Sequence, residues 1–159
     1  MYLCLGTVQF GMDYGVFNTP KKEPQYCMEC LDYATKNGID AIDTATAYGT
    51  AEEIVGKFLE KKTVSREKLY ISTKLFPNIL DDYKKEDYVS VIKRNLQKSL
   101  NVLHTAYVDA YYFHSSRYAF QPELLEAIST VQKEGLAKRV GVSVYYPDEA
   151  LECFESSNI

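Results

Sequence analysis

Along the whole chain, short apolar runs alternate with longer stretches whose apolar positions recur at helical spacing. That alternation predicts βα units and a parallel sheet. The first strand reads Leu3-Cys4-Leu5 and ends at Gly6-Thr7, and a loop bearing Gly and Asn follows through Asn18-Thr19-Pro20. Further strands are predicted at residues 39–42, 69–73, 107–113 and 139–142. The helix over residues 24–36 places Cys27, Met28, Leu31 and Ala34 on one face, with Gly38 as its C-terminal cap. The helix over 51–61 carries the stripe Ala51, Ile54, Val55, Phe58 and Leu59. The helix over about 86–103 turns Tyr88, Val91, Ile92, Leu96 and Leu100 inward. A fourth helix starts near Pro122, buries Leu124, Leu125, Ile128 and Val131, and is capped by Gly135. A last one begins near Pro147 and carries Ala150, Leu151 and Phe154.

Five βα units fit two α/β architectures. One is an open doubly wound sheet. The other is an incomplete (β/α)8 TIM barrel, whose full form takes about 250 residues. At 159 residues, 46% hydrophobic and 25% charged, the chain has the balance of an ordinary globular domain. The net charge of −4 argues against nucleic-acid binding through a basic face. No apolar run approaches the ~20 residues that span a bilayer, and MYLCLGTVQF lacks the features of a signal peptide, so the expected compartment is the cytoplasm. Cys27 and Cys30 form a C-x-x-C, but no second ligand pair follows, and the simpler reading puts both on one helix near its buried face. No metal site is expected. Met12-Asp13 stands where a P-loop requires Lys-Ser/Thr, and no G-x-G-x-x-G follows a strand.

The strand ends separate the two architectures. Asp43 ends the second strand, Tyr48 lies on the loop beyond it, Lys74 ends the third and His114 ends the fourth. Each has a bland role when taken alone: a helix cap, a surface phenol, a solvated amine or a satisfied core imidazole. Together they put an acid, a phenol, an amine and an imidazole on the edge where parallel α/β folds build their sites. A phenol of reference pKa about 10 is a poor acid at neutral pH. An adjacent Lys74 is expected to lower that pKa, with Asp43 holding the lysine. A neutral His114 can orient a carbonyl. Such a set protonates a developing alkoxide, as hydride reduction of a carbonyl demands, and a nicotinamide cofactor must supply the hydride.

LGTVQFG at residues 5–11, GIDAIDTATAYGTAEEIVGKFL at 38–59, LYISTK at 69–74, YVDAYYFH at 107–114 and GLAKRVGVSV at 135–144 follow one another in the order found in a known family. The chain resembles the aldo-keto reductases. The resemblance implies a (β/α)8 barrel of which residues 1–159 are the N-terminal portion, a single domain of about five units. It implies an NADP(H) cofactor, with NAD(H) as the alternative, and a small-molecule carbonyl substrate. Asp43, Tyr48, Lys74 and His114 fall on the family's catalytic tetrad, with Tyr48 as proton donor. Gly6, Thr7, Asp43 and Ser143 fall on positions near the nicotinamide end of the cofactor. Val144 stands where many members have Asn, and Ser115-Ser116-Arg117 replaces the family's usual sequence after the histidine. The chain stops about where a sixth strand is due, so open barrel edges, self-association through them, and inactivity of the chain alone are expectations. The alternative function is a non-catalytic cofactor-binding or regulatory protein on the same scaffold.

Overall fold

The computed structural model describes residues 3–156. Five strands, β1 (Cys4–Gly6), β2 (Ala41–Asp43), β3 (Tyr70–Lys74), β4 (Val108–Phe113) and β5 (Ala137–Val142), form one sheet in the order β1-β2-β3-β4-β5. Every neighbouring pair is parallel. A doubly wound sheet needs a point where the strand order reverses. This order is sequential and has none. Right-handed crossovers that all step in one direction put every connecting helix on the same face. The arrangement is that of an incomplete barrel, with β1 and β5 at its two ends.

The helices are α1 (Val8–Gly11), α2 (Pro24–Lys36), α3 (Ala51–Glu60), α4 (Tyr88–Val102), α5 (Pro122–Lys133) and α6 (Pro147–Ser156). Pro24 and Pro122 open α2 and α5, where a missing N–H costs nothing. Gly38 and Gly135 follow α2 and α5 at φ +85° and +75°, the left-handed geometry foreseen for caps. Successive helices pack side by side, α2 on α3, α3 on α4 and α4 on α5. Between them and the convex face of the sheet lies the core. Leu31, Ile42, Val55, Phe58, Ile71, Ile92, Leu96, Tyr111, Phe113 and Val131 are all buried there. Each of the aliphatic and phenylalanine side chains among them gains about 1.5–3 kcal/mol by leaving water.

Several boundaries differ from the sequence pattern. β2 begins at Ala41 rather than Ile39, β4 at Val108 rather than Tyr107, and β5 at Ala137 rather than Arg139. Leu3 precedes β1 and is exposed. Residues 85–87 form a separate 3₁₀ turn before α4. α1 was not foreseen, because four residues are too few to show a period. α6 buries Cys153, whereas Ala150, Leu151 and Phe154 lie exposed, for the neighbouring elements meet only one side of this helix. Cys27 is buried within α2 and Cys30 half-buried.

The sheet's N-terminal end is closed by an ionic clamp. Asp109, 8% exposed at its side chain, accepts hydrogen bonds from the Ile71 N–H at 3.0 Å and from Arg66 and Lys138, each at 2.8 Å. Arg66 and Lys138 also lie over the Tyr107 ring, at 4.3 and 4.4 Å from its centroid.

Candidate active site

In a parallel sheet, residues in register point to the same side. The register joins Gly6, Asp43, Ser72, Ala110 and Arg139 in one row, and Lys74, Tyr112 and Gly141 in the next. These positions share the concave face, opposite the helices. Asp43 and Lys74 thus reach the C-terminal end of that face from adjacent strands. His114 and Ser143 directly follow β4 and β5, and Tyr48 comes from the loop between β2 and α3.

Asp43, Lys74 and Tyr48 make one connected cluster. The Lys74 ammonium donates to Asp43 Oδ2 at 2.6 Å, to the Thr44 carbonyl at 2.9 Å and to the Tyr48 hydroxyl at 3.3 Å. Lys74 is 5% exposed, so its charge is held by these three acceptors rather than by water. Its ammonium also sits 4.9 Å from the Tyr48 ring centroid. The His114 ring meets Tyr48 edge to face, with centroids 5.6 Å apart. All four tetrad candidates are therefore brought together.

The backbone around Tyr48 is fixed by glycine. A Cβ on Gly11 would run into the Tyr48 carbonyl and the Ala51 nitrogen, and one on Gly49 into the Gly11 carbonyl. Gly49 is also at φ +56°. α1 can thus press directly on the turn that carries Tyr48 into α3. Ala51 N–H donates to the Tyr48 carbonyl at 3.1 Å and completes that turn.

Electrostatics correct one expectation. The Tyr48 phenol is pushed up to about 12, first by burial, then by the Asp43 carboxylate and by Tyr14. Lys74 does not lower it below the ordinary value, because its ammonium is closer to Asp43 than to the phenol and the two charges offset. Tyr48 therefore carries its proton at neutral pH. His114 has its pKa lowered, chiefly by burial and then by Lys74, with Asp43 opposing, so its imidazole is neutral. Its Nδ1 is buried without a hydrogen-bond partner among the described residues.

The cofactor candidates divide. Gly6 faces open space, with no atom within 4 Å of where a Cβ would stand. Ser143 is half-buried and anchored by its N–H to the Phe113 carbonyl at 2.8 Å. Thr7 is fully buried, and its hydroxyl and N–H both donate to the Asp43 carbonyl, at 2.9 and 3.0 Å. Its side chain supports Asp43 and is not presented to the concave face.

Two supporting residues escaped the sequence reading. Ser72 donates to Asp43 Oδ1 at 2.8 Å and so satisfies the carboxylate oxygen that Lys74 leaves free. Its signal was available, since it lies two residues before Lys74 and shares its face. Glu52, 7% exposed in the first turn of α3, accepts from Thr73 at 2.6 Å. It reads in sequence as one of two surface acids opening a helix.

The loops beyond the strands are tied into a rim. Asn78 Oδ1 accepts from Ser115 at 2.8 Å and from Arg117 at 2.9 Å, and Arg117 also pairs with Asp81. Ser116 donates to Glu149 at 3.0 Å, and Glu149 accepts the Tyr145 N–H at 2.9 Å. The segments after β3, β4 and β5 thus hold one another around the mouth. No helix among the described residues is long and apolar enough to cross a membrane.

The chain matches the Aldo/keto reductase family over residues 2–158. It is 35% identical over 139 residues to methylglyoxal reductase DkgA of Salmonella typhimurium, covering 86% of this chain and 46% of that one. The holo form of an aldo-keto reductase from Bacillus halodurans is similar at a TM-score of 0.73 and 25% identity, over 99% of this chain and 50% of that chain. An aldo-keto reductase of Klebsiella pneumoniae solved in complex with NADPH shares the fold at a TM-score of 0.70 and 24% identity, over 98% and 49% respectively. The chain spans about half the length of the curated relatives it matches. The sequential parallel sheet agrees with these neighbours, and the family match runs through all five βα units. The chain belongs to the aldo/keto reductase family.

Proposed function

We propose that residues 1–159 form the N-terminal portion of a carbonyl-reducing barrel, folded as a single unit, and supply its proton-donating machinery. The carrying observation is the Asp43–Lys74–Tyr48 cluster, joined through the buried Lys74 ammonium, with a neutral His114 beside it. The substrate is a small aldehyde or ketone, and the product is the alcohol.

Tyr48 is the proton donor. An alkoxide is a far stronger base than a phenolate, so a phenol that keeps its proton at neutral pH still gives it up to an alkoxide. As the proton leaves, charge develops on the phenolate 3.3 Å from the Lys74 ammonium, and the pre-placed cation stabilises it without reorganisation. Asp43 holds that cation on its other side and is itself held by Ser72.

His114 orients the carbonyl. A neutral imidazole has one N–H, and a buried N–H without an acceptor is costly. With Nδ1 buried and unpartnered, the proton belongs on Nε2, the nitrogen left to donate to a carbonyl oxygen. The described residues fit the nicotinamide end of NADP(H). The space over Gly6 admits it, and Asp43 and Ser143 would hold it there. When bound, the cofactor supplies the hydride that no side chain can give.

The test is calorimetric titration with NADPH of the chain and of one extended by three more βα units, followed by NADPH oxidation by the extended chain with a panel of small aldehydes. Tyr48→Phe is expected to bind NADPH as the wild type does and to lose turnover by about 10²–10⁴-fold. Full turnover in that variant sinks the mechanism. Binding without turnover of any aldehyde by the extended wild-type chain would favour the non-catalytic alternative.

A further inference from the structure

β2 ends at Asp43, two residues before β3 reaches Lys74 in register. Beyond Ser72, one flank of β3 therefore lacks a ladder partner, although the lysine head must be placed to within a fraction of an ångström. The flank is held instead by Thr46 and by the side chains behind it. Thr46 donates its hydroxyl to the Lys74 carbonyl at 2.9 Å, and its own N–H approaches the same oxygen at 3.4 Å. The Thr46 hydroxyl lies 3.4 Å from that of Ser99 on α4. Ser99 also lies beside the Glu52 carboxyl, which accepts from Thr73 at 2.6 Å. Glu52, Thr73 and Ser99 are all buried. The ring of contacts runs from Thr73 through Glu52, Ser99 and Thr46 back to Lys74, and it encloses the peptide on which the lysine side chain is mounted.

Glu52 also joins three elements. It sits four residues after Tyr48 on the helix that the Tyr48 turn opens, bonds to β3 through Thr73, and lies beside Ser99 of α4. A buried carboxylate costs stability, so an apolar residue would pack here more cheaply. The cost has a return if the carboxylate sets the distance between the two groups that share the proton.

We propose that Glu52 is a positioning residue for Lys74, fixing the Thr73–Lys74 backbone and thereby the approach of the ammonium to Asp43 and Tyr48. The role rests on the reading of Lys74 and Tyr48 as the proton-donating pair, but it can be tested without turnover.

The test is ¹⁵N-detected lysine ammonium spectroscopy of the 159-residue chain, with the Lys74 signal identified by its loss in Lys74→Met. A lysine held by three acceptors gives slowly exchanging ammonium protons. Glu52→Ala is expected to move this resonance and speed its exchange by about tenfold or more. Glu52→Gln keeps an acceptor for Thr73 and is expected to restore the wild-type signal. Ile54→Ala, which hollows the same helix from a buried position, is expected to leave it in place. If Glu52→Ala fails to fold, Thr73→Val removes only the donating hydroxyl and must reproduce the displacement. The proposal is overturned if Lys74 in the wild type exchanges like a surface lysine, or if Glu52→Ala or Thr73→Val leaves the resonance unmoved. It is equally overturned if Ile54→Ala moves the resonance as far as the Glu52 variant does. Expected spectra from this chain, with no carbonyl reduced by a chain extended through three more βα units, would overturn the proposed reaction and leave the positioning role standing.

Discussion

The Asp109 clamp gives a prediction whose size can be worked from its contacts. Asp109→Asn keeps the shape of the side chain and one acceptor oxygen. If that oxygen stays on the Ile71 N–H, it also stays on Arg66, which shares Oδ2, but that bond loses its charge assistance, and the Lys138 bond to Oδ1 is lost. Arg66 is 16% exposed, and replacing its charge-assisted bond by a neutral one costs about 1–2 kcal/mol. Lys138 is 56% exposed, and solvent screening reduces its share to about 0–1 kcal/mol. The expected loss at neutral pH is about 1–3 kcal/mol, most of it on the Arg66 side. With a urea m-value of about 2 kcal/mol/M, the unfolding midpoint should fall by about 0.5–1.5 M. The pH dependence is a second reading of the same bond. Burial pushes the Asp109 carboxyl up, but the Ile71 N–H and the Lys138 and Arg66 cations together outweigh it and the pKa is lowered. Its contribution is thus fully present above the unfolded value of about 3.9 and is lost as pH falls through the folded value. Urea unfolding followed by circular dichroism at pH 7 and near pH 3 should show a wide gap between variant and wild type that narrows on acidification. A midpoint within about 0.2 M of wild type at pH 7 refutes the reasoning, and so does a gap that does not shrink in acid.

Three further outcomes are expected. Glu52 has its carboxyl pushed up by burial, against hydrogen bonds from Thr73 and Ser99, so its contribution is present below the unfolded pKa and lost as pH rises through the folded one. Glu52→Gln should therefore unfold at higher urea than wild type at pH 8, with the two converging near pH 4, and a less stable variant at pH 8 contradicts the burial argument. The His114 ring signal, followed by proton NMR, should titrate below its ordinary 6.5, and a midpoint at or above that value contradicts the burial argument for this ring. Gly11→Ala forces its Cβ into the backbone of Tyr48 and Ala51, and the chain should lose about 2–4 kcal/mol in urea unfolding. A cost below about 0.5 kcal/mol would mean that the two backbones can separate without penalty.

The sequence exposed the fold where its physics is local and repetitive. α2, α3 and α5 are legible from apolar spacing, and the left-handed glycines after α2 and α5 from composition. β5 starts earlier than the pattern suggested, because the ladder extends to Ala137 by pairing with Val108, and pairing leaves no mark on either strand alone. The site was legible to the same degree. Four polar residues at strand ends announce a rim, and period-two alternation could have added Ser72. Glu52 could not be found this way. Two adjacent acids at a helix start look like a complement to the helix dipole, and only the packing of α3 against β3 and α4 buries one of them.

The Tyr48 result shows what separates an inventory of residues from a site. From the sequence, a phenol and an amine imply a lowered pKa, because their approach is assumed and the other charges are not yet placed. In the fold, Lys74 is 2.6 Å from Asp43 and 3.3 Å from Tyr48, while burial has already withdrawn the phenol from water. The resting phenol is thus a weaker acid than in solution, not a stronger one. That suits a donor, since a phenol ionised at rest would have no proton to give. The cation is best used late, when the phenolate forms and the nearest unsatisfied anion becomes Tyr48 itself. In the proposed reaction the same three side chains keep the proton in place beforehand and stabilise its absence afterwards. That balance depends on two distances that differ by less than an ångström, and in the proposed role of Glu52 the backbone of β3, braced on its open flank, sets both.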